Sequence, residues 1–312
     1  LQLDKTSSPL RVVFAGTPEF AAPTLAALLD AGAVIPAVLT QPDRPAGRGK
    51  KLRASPVKCL ALEHELEVWQ PNSLRDAGLQ DRIVELGADL MVVVAFGLMI
   101  PDRLLDAPRL GCWNVHASLL PRWRGAAPIH RAVEAGDQET GVCVMKVVQA
   151  LDAGPVFHRV KTPIMPDDNT GTLHDRLAQM GARALVYCTE LARKGELPAP
   201  VEQDHAAATY AHKLSKAEAE LDWGQPAEVL ARRVRAFSPW PVAWCELGGQ
   251  RLRVWRAEAV EDDLPPGQIV SDQRTLVVGT AKGSLKMLEV QKAGGQRMSV
   301  GQFLTAHSLT DD

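Results

Sequence analysis

Short apolar runs alternate with longer amphipathic ones along the first two thirds of the chain. Residues 11–16, Arg-Val-Val-Phe-Ala-Gly, read as a buried strand that stops at a glycine. Thr17-Pro18 behind them supplies an N-cap and a first helical residue, so a helix is expected to run to Leu29. Residues 34–39 form a second strand pattern, and Ser55-Pro56 opens a second helix to about Glu65. Residues 67–69 predict a short strand, and Leu79, Ile83 and Leu86 give 74–86 helical spacing. Residues 89–95 are apolar on both faces, as a central parallel strand must be. Residues 125–135 predict a helix, 141–148 and 155–161 predict strands, and 172–194 predict a long amphipathic helix. This order predicts an α/β fold: a doubly wound, mostly parallel, Rossmann-like sheet.

The pattern then changes. Residues 195–205 are proline-rich, the composition of a linker. Residues 226–237 are helical in pattern. Strand patterns follow at 243–247, 251–260, 268–270, 276–280 and 284–290, divided by Gly- and Asp-rich turns. Five short strands suit a small C-terminal β-barrel of the oligonucleotide-binding (OB-like) type. The expected organisation is a flexible N-terminal arm at 1–10, a first domain at 11–194, the linker, and an OB-like barrel domain at 206–312.

A formal net charge of -2 over 312 residues argues against a protein that coats nucleic acid, and leaves room only for local basic patches. Such a patch lies at 41–53, a loop with two glycines and two prolines. There Arg44, Arg48, Lys50, Lys51 and Arg53 face one acid, Asp43. Loops of this kind suit phosphate and single-stranded RNA ends. Residues 205–312 carry 13 Lys+Arg and 13 Asp+Glu, so RNA contact there needs a stripe. Arg251 and Arg253 share one strand face, and Lys282 and Lys286 flank another turn. No apolar run nears the ~20 residues of a membrane helix, and residues 1–9 lack the apolar core of a signal peptide. Five scattered cysteines without metal spacing suggest free thiols in a reducing cytosol. Cys112 is at most a weak candidate nucleophile.

The densest chemistry lies in Gly111-Cys-Trp-Asn-Val-His-Ala-Ser-Leu-Leu-Pro-Arg-Trp-Arg-Gly125. It begins as a strand, so Asn114 and His116, two apart, leave the same face. An amide donor then stands beside a side chain that titrates near neutrality. Ser118, Leu119, Leu120 and Pro121 follow as a turn. Later, Asp152 sits in a turn ahead of Gly154-Pro155; spacing alone does not bring it to His116.

The Asn-x-His-x-Ser-Leu-Leu-Pro run resembles the signature of the folate-dependent formyltransferases. Residues 119–129 narrow the resemblance to those that act on methionyl initiator tRNA, and the likeness extends from Arg11 to about Phe303. It implies formyl transfer from 10-formyltetrahydrofolate to the amino group of the aminoacylated tRNA, for translation initiation in the cytoplasm. It implies Asn114, His116 and Asp152 as catalytic residues, the last from the Leu-Asp-Ala-Gly context. Phe96 and Gly97, with Ser118 to Pro121, are implied to line the folate pocket; Phe96 stands where many relatives have Tyr. Arg44 and its basic neighbours are implied to engage the tRNA acceptor end. Acyl transfer to an amine needs an oxyanion donor, which Asn114 and His116 offer, and a proton acceptor, which Asp152 offers. No metal, covalent intermediate, membrane or obligate protein partner is expected.

Other readings share some of these features. A formyltransferase for a ribonucleotide or sugar amine would keep the same three residues, but the basic loop and the barrel favour a tRNA substrate. A folate hydrolase, with water as acceptor, would have no use for either feature. A non-catalytic RNA-binding protein has no reason to keep the triad. A dehydrogenase would need the glycines that are missing after Gly16.

Overall fold

The computed structural model describes residues 8–46 and 51–307. Its elements begin with β1 (Val12–Gly16), α1 (Ala22–Asp30), β2 (Val38–Leu39), β3 (Arg44–Ala46), β4 (Lys51–Arg53), α2 (Pro56–Glu63), β5 (Val68–Trp69), α3 (Ala77–Glu85) and β6 (Leu90–Val94). They continue with α4 (Asp102–Asp106), β7 (Cys112–His116), β8 (Arg124–Gly125), α5 (Pro128–Ala135), β9 (Glu139–Lys146), β10 (Val156–Pro163) and α6 (Thr170–Lys194). The rest holds β11 (Tyr210–Ala211), α7 (Ala227–Ala236), β12 (Ala243–Leu247), β13 (Gln250–Val260), β14 (Ile269–Ser271), β15 (Leu276–Gly279), β16 (Ser284–Lys292), β17 (Met298–Ser299) and α8 (Val300–Ala306). Two compact units result. One takes residues up to 125 with 140–162 and 174–210; the other takes 126–139 and 163–173 with residues from 211 on.

The first unit is built on a seven-stranded sheet of order β10-β9-β7-β6-β1-β2-β5. β5, β2, β1, β6 and β7 run parallel, and β9 runs antiparallel to β7. β1 is buried along its whole length and β6 nearly so, which is why both are continuous apolar runs. The chain leaves β1 toward β2 and β5, then returns to lay β6 on β1's other side. Open sheets bind ligands outside the strand carboxyl ends at such a reversal. Gly16, at the end of β1, has no room for a side chain: a Cβ there would lie 2.7 Å from the Phe14 ring and 3.0 Å from the Val94 carbonyl.

Two local expectations are corrected. Thr17 does not cap α1, which begins at Ala22 with Pro in its first turn. Its hydroxyl instead donates to the Phe96 carbonyl (3.3 Å) and accepts from the Gln41 amide (3.2 Å), tying together the ends of three strands. The basic segment at 41–53 is more than a loop. Its flanks pair as β3 and β4, with Arg44 opposite Arg53 and Ala46 opposite Lys51. Arg48 and Lys50 lie outside the described residues, as do residues 1–7 of the N-terminal arm.

The second unit centres on one antiparallel sheet, β12-β13-β16-β15-β14, with β17 added to β16, curled into a half-barrel. Alternation makes its core: Leu252, Val254, Val278 and Leu285 point in, against Leu230 and Val234 of α7 and Phe303 of α8. α8 adds a helix beyond the expected strands, and Ser299 and Gln302 form a capping box at its start, a pattern visible in sequence. Lys286, half of one expected basic stripe, is ion-paired with Glu258 at 2.8 Å.

Candidate active site

β7 ends at the carboxyl edge of the first sheet and carries both signature side chains there. Asn114 is half-buried and His116 is 6% exposed. His116 Nε2 stands 2.9 Å from the Trp123 carbonyl. A carbonyl only accepts, so this nitrogen carries the proton and donates. Nδ1 therefore faces the other way, toward Asp152 Oδ2 at 3.7 Å. The same carboxylate oxygen accepts from the Gly125 amide at 2.8 Å. The fold thus brings residues 116 and 152 face to face, with Asn114 one pleat back along the His116 side of its strand.

The turn bearing Asp152 is held from beneath. Gln203 Nε2 donates to the main-chain carbonyls of Asp152 (2.9 Å) and Gly154 (2.6 Å). Its Oε1 accepts from Arg124 Nε (3.1 Å) and Nη2 (2.8 Å), and Arg124 also reaches His205 Nδ1 at 3.0 Å. Arg124 and Gln203 are 3% and 5% exposed, so the bonds between them are interior ones. Thr209 adds a clamp, accepting from the Trp123 amide at 2.9 Å. Arg124, Gln203 and Thr209 escaped the sequence reading. Gln203 lies in the segment expected as linker, and nothing in its spacing marks it. Backbone strain collects at the same place: Ala95, Trp123 and Asp152 all have positive φ (46°, 62° and 47°).

The residues proposed to line a folate pocket divide into two groups. The Phe96 ring is buried in the core with Val13, Leu39 and Met91, and its carbonyl is engaged by Thr17 and by Gln41 Nε2 (3.2 Å). Ser118 is buried, its hydroxyl donating to the Arg122 carbonyl at 2.6 Å, and Leu120 packs on Cys143, Met145 and Val156. These three shape the turns from inside. Gly97 (φ 83°) is exposed, and Leu119 and Pro121 are half-exposed, so they carry the accessible surface.

Arg44 is exposed and donates to Gln41 Oε1 at 3.0 Å, so one glutamine links the basic segment to the Phe96 carbonyl. Below it Asp43 binds Lys58 at 2.8 Å and Gln70 at 2.7 Å; these two bonds hold its carboxyl below the usual range. Lys51 and Arg53 are exposed. Cys112 is not a nucleophile of this site: it is buried, its thiol bonds the Leu104 carbonyl, and burial pushes its pKa up to about 12. Among the described residues, no three His, Cys, Asp or Glu side chains are grouped to hold a metal.

An amide donor, an anchored imidazole and a backbone-held carboxylate stand together at the carboxyl edge of β7, one strand from the reversal of the sheet. Residues 10–189 match the family Formyl transferase, and residues 213–308 match Formyl transferase, C-terminal domain. The chain belongs to the formyl transferase family. It is 52% identical, over 96% of its length and 98% of the relative's, to methionyl-tRNA formyltransferase of Methylococcus capsulatus. Two solved structures share the fold at low identity. One is an N-formyltransferase of Helicobacter canadensis with folinic acid and dTDP-3-aminofucose: TM-score 0.66, 13% identity, 91% of this chain and 99% of that one. The other is HypX of Aquifex aeolicus with tetrahydrofolic acid: TM-score 0.61, 17% identity, 95% of this chain and 47% of that one.

Proposed function

We propose that this chain transfers the formyl group of 10-formyltetrahydrofolate to the α-amino group of methionyl initiator tRNA, in the cytoplasm, for translation initiation. Near-full-length identity to a relative of that name supports the reading, as do both formyl transferase matches. The observation that carries it is the approach of Asp152 to His116 Nδ1 beside Asn114. A sugar-amine substrate has only low-identity fold likeness behind it. Five free cysteines, four of them buried, suit a reducing compartment.

Asn114 donates a hydrogen bond to the formyl oxygen as it gains charge. The Trp123 carbonyl fixes the His116 ring, so its Nδ1 edge faces the reaction. Asp152 stabilises positive charge on that ring and accepts the proton lost by the attacking amine, directly or through water. The amine nitrogen bonds to the formyl carbon, the bond from that carbon to the folate nitrogen breaks, and that nitrogen takes a proton. No side chain is acylated. Bound against Gly97, Leu119 and Pro121, the folate supplies the formyl carbon. Arg44, Lys51 and Arg53, with Arg48 and Lys50 of the same segment, steer the acceptor end.

The test is a formylation assay with 10-formyltetrahydrofolate and charged initiator tRNA, beside charged elongator tRNA and free methionine. Product is expected with the initiator alone. Equal turnover of free methionine, or none of the charged initiator, overturns the reading.

A further inference from the structure

A groove of about 500 Å³ opens on the half-barrel of the second unit, away from its core. Three of the chain's seven tryptophans line it: Trp240, Trp244 and Trp255. Lys216, Arg251, Arg253 and Lys292 stand among the rings; among the described residues no carboxylate lines the groove itself, and Glu246 flanks it as the cross-strand partner of Arg251. The strand pattern explains this composition. In Arg251-Leu252-Arg253-Val254-Trp255, the two aliphatics point into the core at 0% exposure, so the arginines and the indole share the outer face. Trp244 on β12 pairs directly with Arg253 on β13.

The groove is partly pre-set. The Arg251 guanidinium lies over the Trp244 ring, 3.4 Å from its centroid. The Trp255 indole N–H donates to Gln291 Oε1 at 3.0 Å, which fixes that ring. Trp240 is 49% exposed. One isolated exposed indole is ordinary; three in one groove form a patch that calls for an occupant. Four lining cations against one flanking carboxylate favour a polyanion, and flat rings select something flat. An unpaired nucleotide offers both, through its phosphate and its base. An apolar peptide helix would use the rings but waste the charges. Since residues 205–312 carry equal numbers of acids and bases, the attraction is local to this groove.

We propose that the groove is a nucleotide-stacking subsite: an unpaired base of the tRNA rests on an indole, with its phosphates on Arg251 and Arg253. This rests on the reading that the substrate is a tRNA. The experiment compares wild type with Trp240→Ala, Trp240→Phe and Arg253→Glu, using charged initiator tRNA and, separately, a single-stranded oligoribonucleotide. Trp240→Ala is expected to raise the KM for tRNA roughly tenfold, with kcat at saturation changed by less than about twofold. Trp240→Phe should restore most of the loss. Arg253→Glu should weaken both RNAs and lower the salt slope of binding by about one or more. Unchanged tRNA affinity in Trp240→Ala and Arg253→Glu overturns the subsite, provided wild type formylates the tRNA. Failure of wild type to formylate it instead overturns the function on which the proposal rests. A wild-type dimer that Trp240→Ala makes monomeric, with tRNA affinity unchanged, identifies a second copy of the chain as the occupant and overturns the proposal too.

Discussion

Gln203 holds Asp152 by its main-chain carbonyl, at 2.9 Å, and not by its carboxylate. The side chain of Asp152 is thereby left for His116 and the Gly125 amide. Gln203 adds a second bond to Gly154, and Arg124 locks the amide's orientation by occupying its oxygen. On the proposed mechanism it is a positioning residue.

Gln203→Leu removes both donors to the turn and strips Arg124 of its acceptor. Misplacing a reacting group by about an ångström costs up to roughly 10²-fold. A fall in kcat of about tenfold or more is expected, with KM for both substrates little changed. Steady-state kinetics check the split, and thermal unfolding shows whether the fold survives. Loss confined to KM would remove the positioning role.

Asp152→Asn separates charge from geometry. The amide oxygen still accepts from Gly125, so the turn should stay in place. What disappears is the negative charge beside His116 Nδ1 and the proton acceptor. A loss of about 10²–10³ in kcat is expected, on the scale of one removed transition-state group. Asp152→Ala, Asn114→Ala and His116→Ala are expected to lose at least as much while melting cooperatively. Near-wild-type turnover in any of them removes that residue from the mechanism.

Much of this arrangement is legible in the sequence, for identifiable reasons. β1 and β6 are covered on both faces, so their sequences are continuous apolar runs and stand out. Asn114 and His116 are two apart on one strand, and strand periodicity alone sets them on one face. Asp152 was different: only the family resemblance pointed to it, because its approach to His116 depends on β7 and β9 lying side by side. Gln203 and Arg124 carried no signal. A glutamine that binds main-chain carbonyls needs no particular neighbour, and a buried arginine reads like any member of a basic run. Thr17-Pro18 misled because the pair suits a helix start and a turn equally, and tertiary bonds to Phe96 and Gln41 decided it.

The cysteines divide by burial. Cys59 is exposed, whereas Cys112, Cys143, Cys188 and Cys245 are buried. Burial pushes the Cys112, Cys188 and Cys245 thiols up to about 12 and Cys143 to about 11. The thiolate is the reactive form, so these four should stay inert near neutral pH. Native alkylation followed by mass measurement should show one modified cysteine, and denatured protein five. Rapid native modification of Cys112 would show that β7 opens far more readily than its packing implies.

Gly154 closes the turn that presents Asp152, and its position leaves no room for a side chain. A Cβ there would lie 1.9 Å from the Lys146 carbonyl, closer than atoms can approach, so backbone must move. The backbone that moves is the carbonyl Gln203 holds at 2.6 Å and the turn two residues after Asp152. Gly154→Ala should therefore cost both stability, by about 1–3 kcal/mol as overpacking does, and turnover. Gly78→Ala is the matched control: a Cβ there meets only Asp76 Oδ1, at 3.5 Å, and the site lies in the first turn of α3. Alanine in a helix is favoured over glycine by up to about 1 kcal/mol, so that variant should melt at or above wild type with full activity. If Gly154→Ala instead melts and turns over like Gly78→Ala, the turn has slack, and Asp152 is not held to the tolerance the mechanism requires.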